Sequence, residues 1–185
     1  MAWIVVLIVL AVAALAIIGI YNGLVRLNLQ VDNAWADIDV QLKRRHDLIP
    51  NVVETVKGYA GHERQTLEAV VNARSKAVSA EAAGPAERSQ AEGALTTALR
   101  GLFALAESYP QLRAAENFAQ LQGTLAQIED ALQNARRYYN AVVRDLNTRV
   151  RQFPSNLIAG MFGFRPREFF ELPDVGQREV PQVKF

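Results

Sequence analysis

The sequence contains no cysteine, which excludes disulfides, thiolate metal sites and cysteine nucleophiles. It carries no Asp, Glu, Lys or Arg before Arg26, so every charged side chain lies in the remaining 160 residues. Neither sign of charge dominates: 20 Lys and Arg interleave with 19 Asp and Glu, which removes the electrostatic footprint of a nucleic-acid binder, and no nucleic acid is expected as a partner. Histidine is scarce, and neither His46 nor His62 has an acid three positions before it, as a carboxylate-bridged di-metal bundle would need. The phosphate-loop, dinucleotide, zincin and hydrolase signatures are all missing. Catalytic, cofactor and metal sites are therefore all expected to be absent, leaving an enzyme of undescribed type as the remote alternative.

What is present begins with an apolar run. Residues 2 to 20 read AWIVVLIVLAVAALAIIGI, and twelve of these are Ile, Leu or Val. At about -0.3 to -0.6 kcal/mol per such residue, insertion into a bilayer is favourable by several kcal/mol, and about 20 residues suffice to cross ~30 Å of hydrocarbon. A buried core helix rarely needs so long an uncharged run. A cleaved signal peptide usually has a basic start and a shorter apolar stretch, whereas this run continues past the small-x-small step at Ala14-Leu15-Ala16. Residues 1–23 are thus read as an uncleaved signal anchor. Arg26, Lys43, Arg44 and Arg45 all follow the run, which predicts an outside N-terminus and a cytoplasmic body.

The body, residues 24–153, reads as four amphipathic helices. The first carries Val31, Trp35, Ile38, Leu42, Arg45, Ile49, Val52 and Val56, an a/d seam with steps of four and three. Pro50 interrupts it, costing the bond to the His46 carbonyl, and should kink the helix without ending it. Gly58 and Gly61 supply the stop. A second helix runs from about Glu63 to Ala82 with Leu67, Val70, Arg74 and Val78 inward. A third, about Pro85 to Glu107, presents Ala91, Leu95, Ala98, Leu102 and Leu105. The fourth, about Gln111 to Gln152, carries a seam from Phe118 through Leu125, Leu132, Tyr139, Val142, Leu146 and Arg149 to Phe153. Short turns favour an antiparallel up-down four-helix bundle, with helices 1 and 4 long and 2 and 3 shorter, over a coiled coil that pairs only between chains.

The stretches QLKRRHDLIPNVVETVKGYAGHE at 41–63 and YPQLRAAENFAQLQGTLAQIEDALQNARRYYNAVVRDLNTRVRQFPSNLIAGMFGFRPREFFE at 109–171, behind an apolar anchor, resemble the LemA family of bacterial membrane proteins. The most specific pieces are RR-x-DLIPN-x-VETVKGYA-x-HE and FPSNLIA. The resemblance implies one N-terminal transmembrane helix in the bacterial inner membrane, a cytoplasmic helical bundle, and no established biochemical activity.

The mismatched helix lengths leave the part of the body next to the anchor only two helices thick. Its seam, Val31, Trp35, Tyr139, Val142 and Leu146, then needs a cover: the C-terminal segment, a second copy, or another membrane protein. Gly19 and Gly23 form a GxxxG step in the anchor that would also suit self-association. Four helices bring the chain back toward the bilayer at Phe153. Residues 154–170 then follow as a return segment, with Leu157, Ile158, Met161, Phe162 and Phe164 among Arg165 and Arg167. That composition suits a headgroup-level element or a lid packed on the seam. Residues 171–185 read as an extended tail with Val183 and Phe185 free to dock. Arg45 and Arg149 occupy seam positions and are expected to pair with carboxylates such as Asp47, Glu54, Asp145 or Glu129, or else to snorkel outward. The expected partners are the lipid bilayer, further copies of the chain and, alternatively, another membrane protein. The function read from these features is a self-associating, non-catalytic scaffold or membrane organiser. An adaptor for another membrane protein, in envelope stress or protein quality control, is the alternative.

Overall fold

The computed structural model describes residues 1–171, among which there is helix and no strand. Helix α1 spans Ala2–Ala60 and passes through Pro50 unbroken. Its first part has a mean hydropathy of 3.1 and none of it is buried by protein, so it is long and apolar enough to cross a membrane. Nothing interrupts α1 at residue 23, so the apolar run and the first helix of the body are one element.

Helix α2 spans Arg64–Ser79 and ends in a 3-10 turn over Ala80–Ala82. Helix α3 spans Pro85–Glu107, opened by a proline in its first turn, where the missing N–H costs no helical bond. The expected single fourth helix is divided. A one-turn α4, Pro110–Arg113, precedes α5, Glu116–Arg151, and the bond from the Ala115 N–H to the Leu112 carbonyl closes the turn between them. A short helix α6, Ser155–Phe162, follows. The tail residues from 172 onward, Val183 and Phe185 included, lie outside the described residues.

The described chain divides into two compact units, residues 1–38 with 135–169, and residues 39–134 with 170 and 171. Helices α1 and α5 each contribute to both. In the second unit α1, α2, α3 and α5 supply one apolar core, including Ile49, Val56, Val70, Leu95, Leu102 and Leu125. Two inner faces differ from the expectation. On α2, Ala77 is buried and Val78 is exposed. On α3 the buried row is Arg88, Glu92, Leu95, Leu99, Leu102 and Ala106, an unbroken alternation of four and three, while Ala91, Ala98 and Leu105 stand at its edge. The helix is rotated so that Leu99 rather than Ala98 enters the core, which carries two charged residues in with it.

Candidate functional site

Two sites emerge, one in each unit. In the second unit the side chains of α3 that sequence periodicity passes over form a buried ionic cluster. Arg45 is 1% exposed and Glu92 0%. The Arg45 Nη1 donates to Glu92 Oε2 at 2.9 Å and its Nη2 donates to Thr96 Oγ1 at 2.7 Å. Its Nε lies 2.7 Å from Glu129 Oε1, close enough for an ion pair though not aligned as a hydrogen bond. The other oxygen of Glu92 is 2.7 Å from His46 Nε2, so both carboxylate oxygens are engaged. A buried charge is tolerated when its lone pairs and protons are satisfied in this way. Beside it, buried Arg88 pairs with Asp39, and the Ser89 hydroxyl donates to the Glu171 carbonyl.

Pro50 is tied to the same cluster. A proline in a helix leaves the carbonyl four residues earlier without its donor, and here that carbonyl belongs to His46. Arg74 of α2 donates its Nε to the His46 oxygen at 2.7 Å and fills the vacancy. The backbone defect of α1 is thereby converted into a point of attachment for α2.

The second site lies in the first unit. The seam expected to need a cover is buried: Val31, Tyr139, Val142 and Leu146 are all at most 7% exposed, and the Trp35 and Tyr139 rings lie 5.1 Å apart. The chain's own return segment crosses it. The Tyr139 hydroxyl donates to the Glu168 carbonyl at 2.9 Å, and burial pushes the phenol pKa upward, reinforced by Glu168 and Asp32 and opposed by Arg167. The Asn147 side chain donates to the Arg167 carbonyl and accepts from the Arg167 N–H, at 2.9 and 2.8 Å. The Arg167 guanidinium donates to Asp32 at 2.8 Å and to Asn28 at 3.2 Å. An extended segment has no ladder for its backbone groups, and these side chains supply the partners.

Helix α6 is fastened at both ends. The Ser155 hydroxyl is 2.6 and 2.9 Å from the carbonyls of Arg149 and Gln152 near the end of α5. Gly163, at φ +76°, turns the chain back, with its own N–H and that of Phe164 both bonded to the Ala159 carbonyl. Phe162 and Phe164 thereby reach Tyr21, the first residue after the apolar run, with ring centroids at 4.7 and 5.9 Å. Ser155, Ile158 and Ala159 are buried, whereas Phe153, Leu157, Met161 and Phe162 are exposed. Arg165 is exposed, and so is Arg149, whose backbone carbonyl accepts from Ser155. In the anchor, Gly19 is exposed and Gly23 half-buried, and a Cβ added to either meets nothing within 4 Å.

Of the residues proposed from sequence, the structure brings Arg45 together with Glu129, and brings the seam residues together with Arg167. It does not bring Arg149 to Asp145 or Arg45 to Glu54 in any ion pair among the described residues. Glu92, Thr96 and Arg88 escape a search for apolar periodicity, whereas the spacing of α2 places Arg74 inward. Extending the Leu95-Leu99-Leu102 row backward by three and four residues would have reached Glu92 and Arg88.

The chain is similar to two magnetosome proteins called MamQ from Paramagnetospirillum magneticum, each at 23% identity over 88% of this chain and 70% of the relative. A protein called LemA from Metamycoplasma hominis is 24% identical over 88% of this chain and 74% of its own length. None of these names is that of an enzyme. The LemA family matches residues 34–185, which takes in the ionic cluster, the seam apart from Val31, and the return segment, and the chain belongs to the LemA family.

Proposed function

We propose that this protein works by assembly rather than catalysis, as an anchored helical body that associates with itself and organises the membrane that holds it. The single observation that carries the reading is the anchor surface: Gly19, exposed, and Gly23, half-buried, sit one turn apart at the end of the apolar run, and among the described residues a Cβ added at either meets nothing within 4 Å. Small residues at that spacing let two helices approach closely in lipid. Because α1 runs on without a break, association of the anchors would also bring the bodies into register. The core shared by α1, α2, α3 and α5 supports an antiparallel up-down order for the body, and Arg26 with Lys43 and Arg44 behind the anchor supports an outside N-terminus and a cytoplasmic body in the bacterial inner membrane. The relatives' names, given for a magnetosome and a family rather than for a reaction, support the non-enzymatic part.

The test is the mass of the full chain in mild detergent, measured by light scattering beside Gly19→Leu/Gly23→Leu and beside a chain beginning at Leu24. The expected result is a discrete multiple of 20.5 kDa for the full chain that falls on either change. A monomer throughout sinks self-association and favours the adaptor. That second reading has its own support in a groove of about 540 Å³ between α1 and α2, lined by Val53, Lys57, Arg64, Leu67 and Val71.

A further inference from the structure

We propose that α6 lies in the bilayer surface where α1 leaves it, presenting Leu157, Met161 and Phe162 to acyl chains while Arg149, Arg151 and Arg165 meet the headgroups of anionic phospholipids. The proposal rests on reading residues 2–20 as membrane-spanning and adds a second membrane contact to it. Its height is set by Tyr21: the apolar run ends at Ile20, and the next side chain packs its ring, tilted by 57°, with its centroid 4.7 Å from that of Phe162 at the end of α6. A tyrosine there belongs at the headgroup level, and α6 is held at that level with it.

The division of faces is that of an interfacial helix. One face of α6, Ser155, Ile158 and Ala159, is buried against protein, and the opposite one exposes Leu157 and Met161 one turn apart at 57% and 76%. A short helix packed on one side that leaves two large apolar side chains bare on the other has an unmet demand there. The occupant follows from continuity and charge. The face adjoins the exposed anchor through Tyr21, and between Asp145 and Glu168 the sequence has no acid but four arginines, 149, 151, 165 and 167. Arg167 is committed to Asp32, and the other three are exposed. Apolar side chains flanked by arginines match an anionic headgroup layer over its hydrocarbon. Helix α6 has eight residues, too short to span, so the element can only lie along the surface.

Because the chain has no cysteine, a single introduced one can carry a nitroxide label without other changes. Full-length Met161→Cys, Ile8→Cys in the anchor and Val71→Cys on α2 are placed one copy per nanodisc, in phosphatidylcholine with or without phosphatidylglycerol. Accessibility to oxygen and to a water-soluble nickel chelate is then read from power saturation. The expected result is that Met161→Cys resembles Ile8→Cys, with oxygen access high and nickel access reduced several-fold relative to Val71→Cys. The shift should grow with phosphatidylglycerol and shrink in Arg149→Gln/Arg151→Gln/Arg165→Gln. Nickel access at 161 equal to that at 71 would overturn the proposal while leaving the anchor intact. Exclusion of both reagents would also overturn it, since protein rather than lipid would cover the face. Indifference to phosphatidylglycerol would remove the headgroup contact. Nickel access at Ile8→Cys would instead bring down the anchor reading on which the proposal stands.

Discussion

The two units hold segments of the same two long helices, α1 and α5, but complete their cores by different means. In the second unit, two further helices supply apolar layers and a charged residue on α3 is carried into the interior, where Glu92 binds Arg45 and His46 at once. In the first, no further long helix is present. An extended segment closes the seam, and its backbone is satisfied by Tyr139 and Asn147. A helix arrives with its own hydrogen bonds made and can bring charges inward, whereas an extended strap arrives with bare amides and must be met by polar side chains on the helices beneath it. The contrast shows in the residues used: Arg45, His46, Arg88 and Glu92 are buried in the second unit, whereas an amide and a phenol meet the backbone of the return segment.

The largest effect should come from breaking the cluster on one side only. Glu92→Ala leaves the Arg45 guanidinium buried with one of its two carboxylates gone and should cost about 3–5 kcal/mol in urea unfolding of the full chain. Arg45→Met/Glu92→Leu, which removes both charges at similar volume, should recover most of that loss. A Glu92→Ala chain within about 1 kcal/mol of the wild type would mean that the cluster carries no penalty for incompleteness. Next is the joint between α1 and α2. Arg74→Met leaves the His46 carbonyl without its donor and should cost about 1–3 kcal/mol. Pro50→Ala restores the N–H at the position that a helix would use, so it should cost less when combined with Arg74→Met than when made alone. Additive effects in that cycle would show that the two residues do not share the carbonyl.

The smallest effect is on the strap. Tyr139→Phe deletes the bond to Glu168 and should cost about 1 kcal/mol at neutral pH. The folded phenol has a pKa raised above its ordinary 10.0, chiefly by burial, so its contribution is complete below the unfolded value and is lost as pH rises through the folded one. Wild type should therefore lose stability relative to Tyr139→Phe above about pH 10. Denaturation midpoints for the two chains that stay parallel through the alkaline range would refute this.

Sequence reading recovered what apolar spacing and backbone chemistry encode. The passage of α1 through Pro50, its stop near Gly61, and the α5 seam through Leu132, Tyr139 and Leu146 all follow from residue type and step length. The face of α3 was misread because the core there contains Arg88 and Glu92, and a search for apolar residues turns away from charge. The break at Ala114 and Ala115 was missed for the opposite reason: alanine is the best of helix formers, so nothing local announced it. The grip on Arg167 and Glu168 was illegible because bonds from side chains to a backbone leave no periodic trace.

Glu92 also works as an error check on alignment. Helices with a seven-residue repeat can slide by one repeat and still match apolar layer to apolar layer, so hydrophobic pattern alone tolerates misregistration. On α1 the positions seven residues either side of Arg45 are Ile38 and Val52, both fully buried. A slip of α1 against α3 would set Glu92 against one of these, with no cation to meet it and no water to replace the loss. One carboxylate thus distinguishes the correct alignment from its nearest decoys, a digit that the repeating apolar code cannot write.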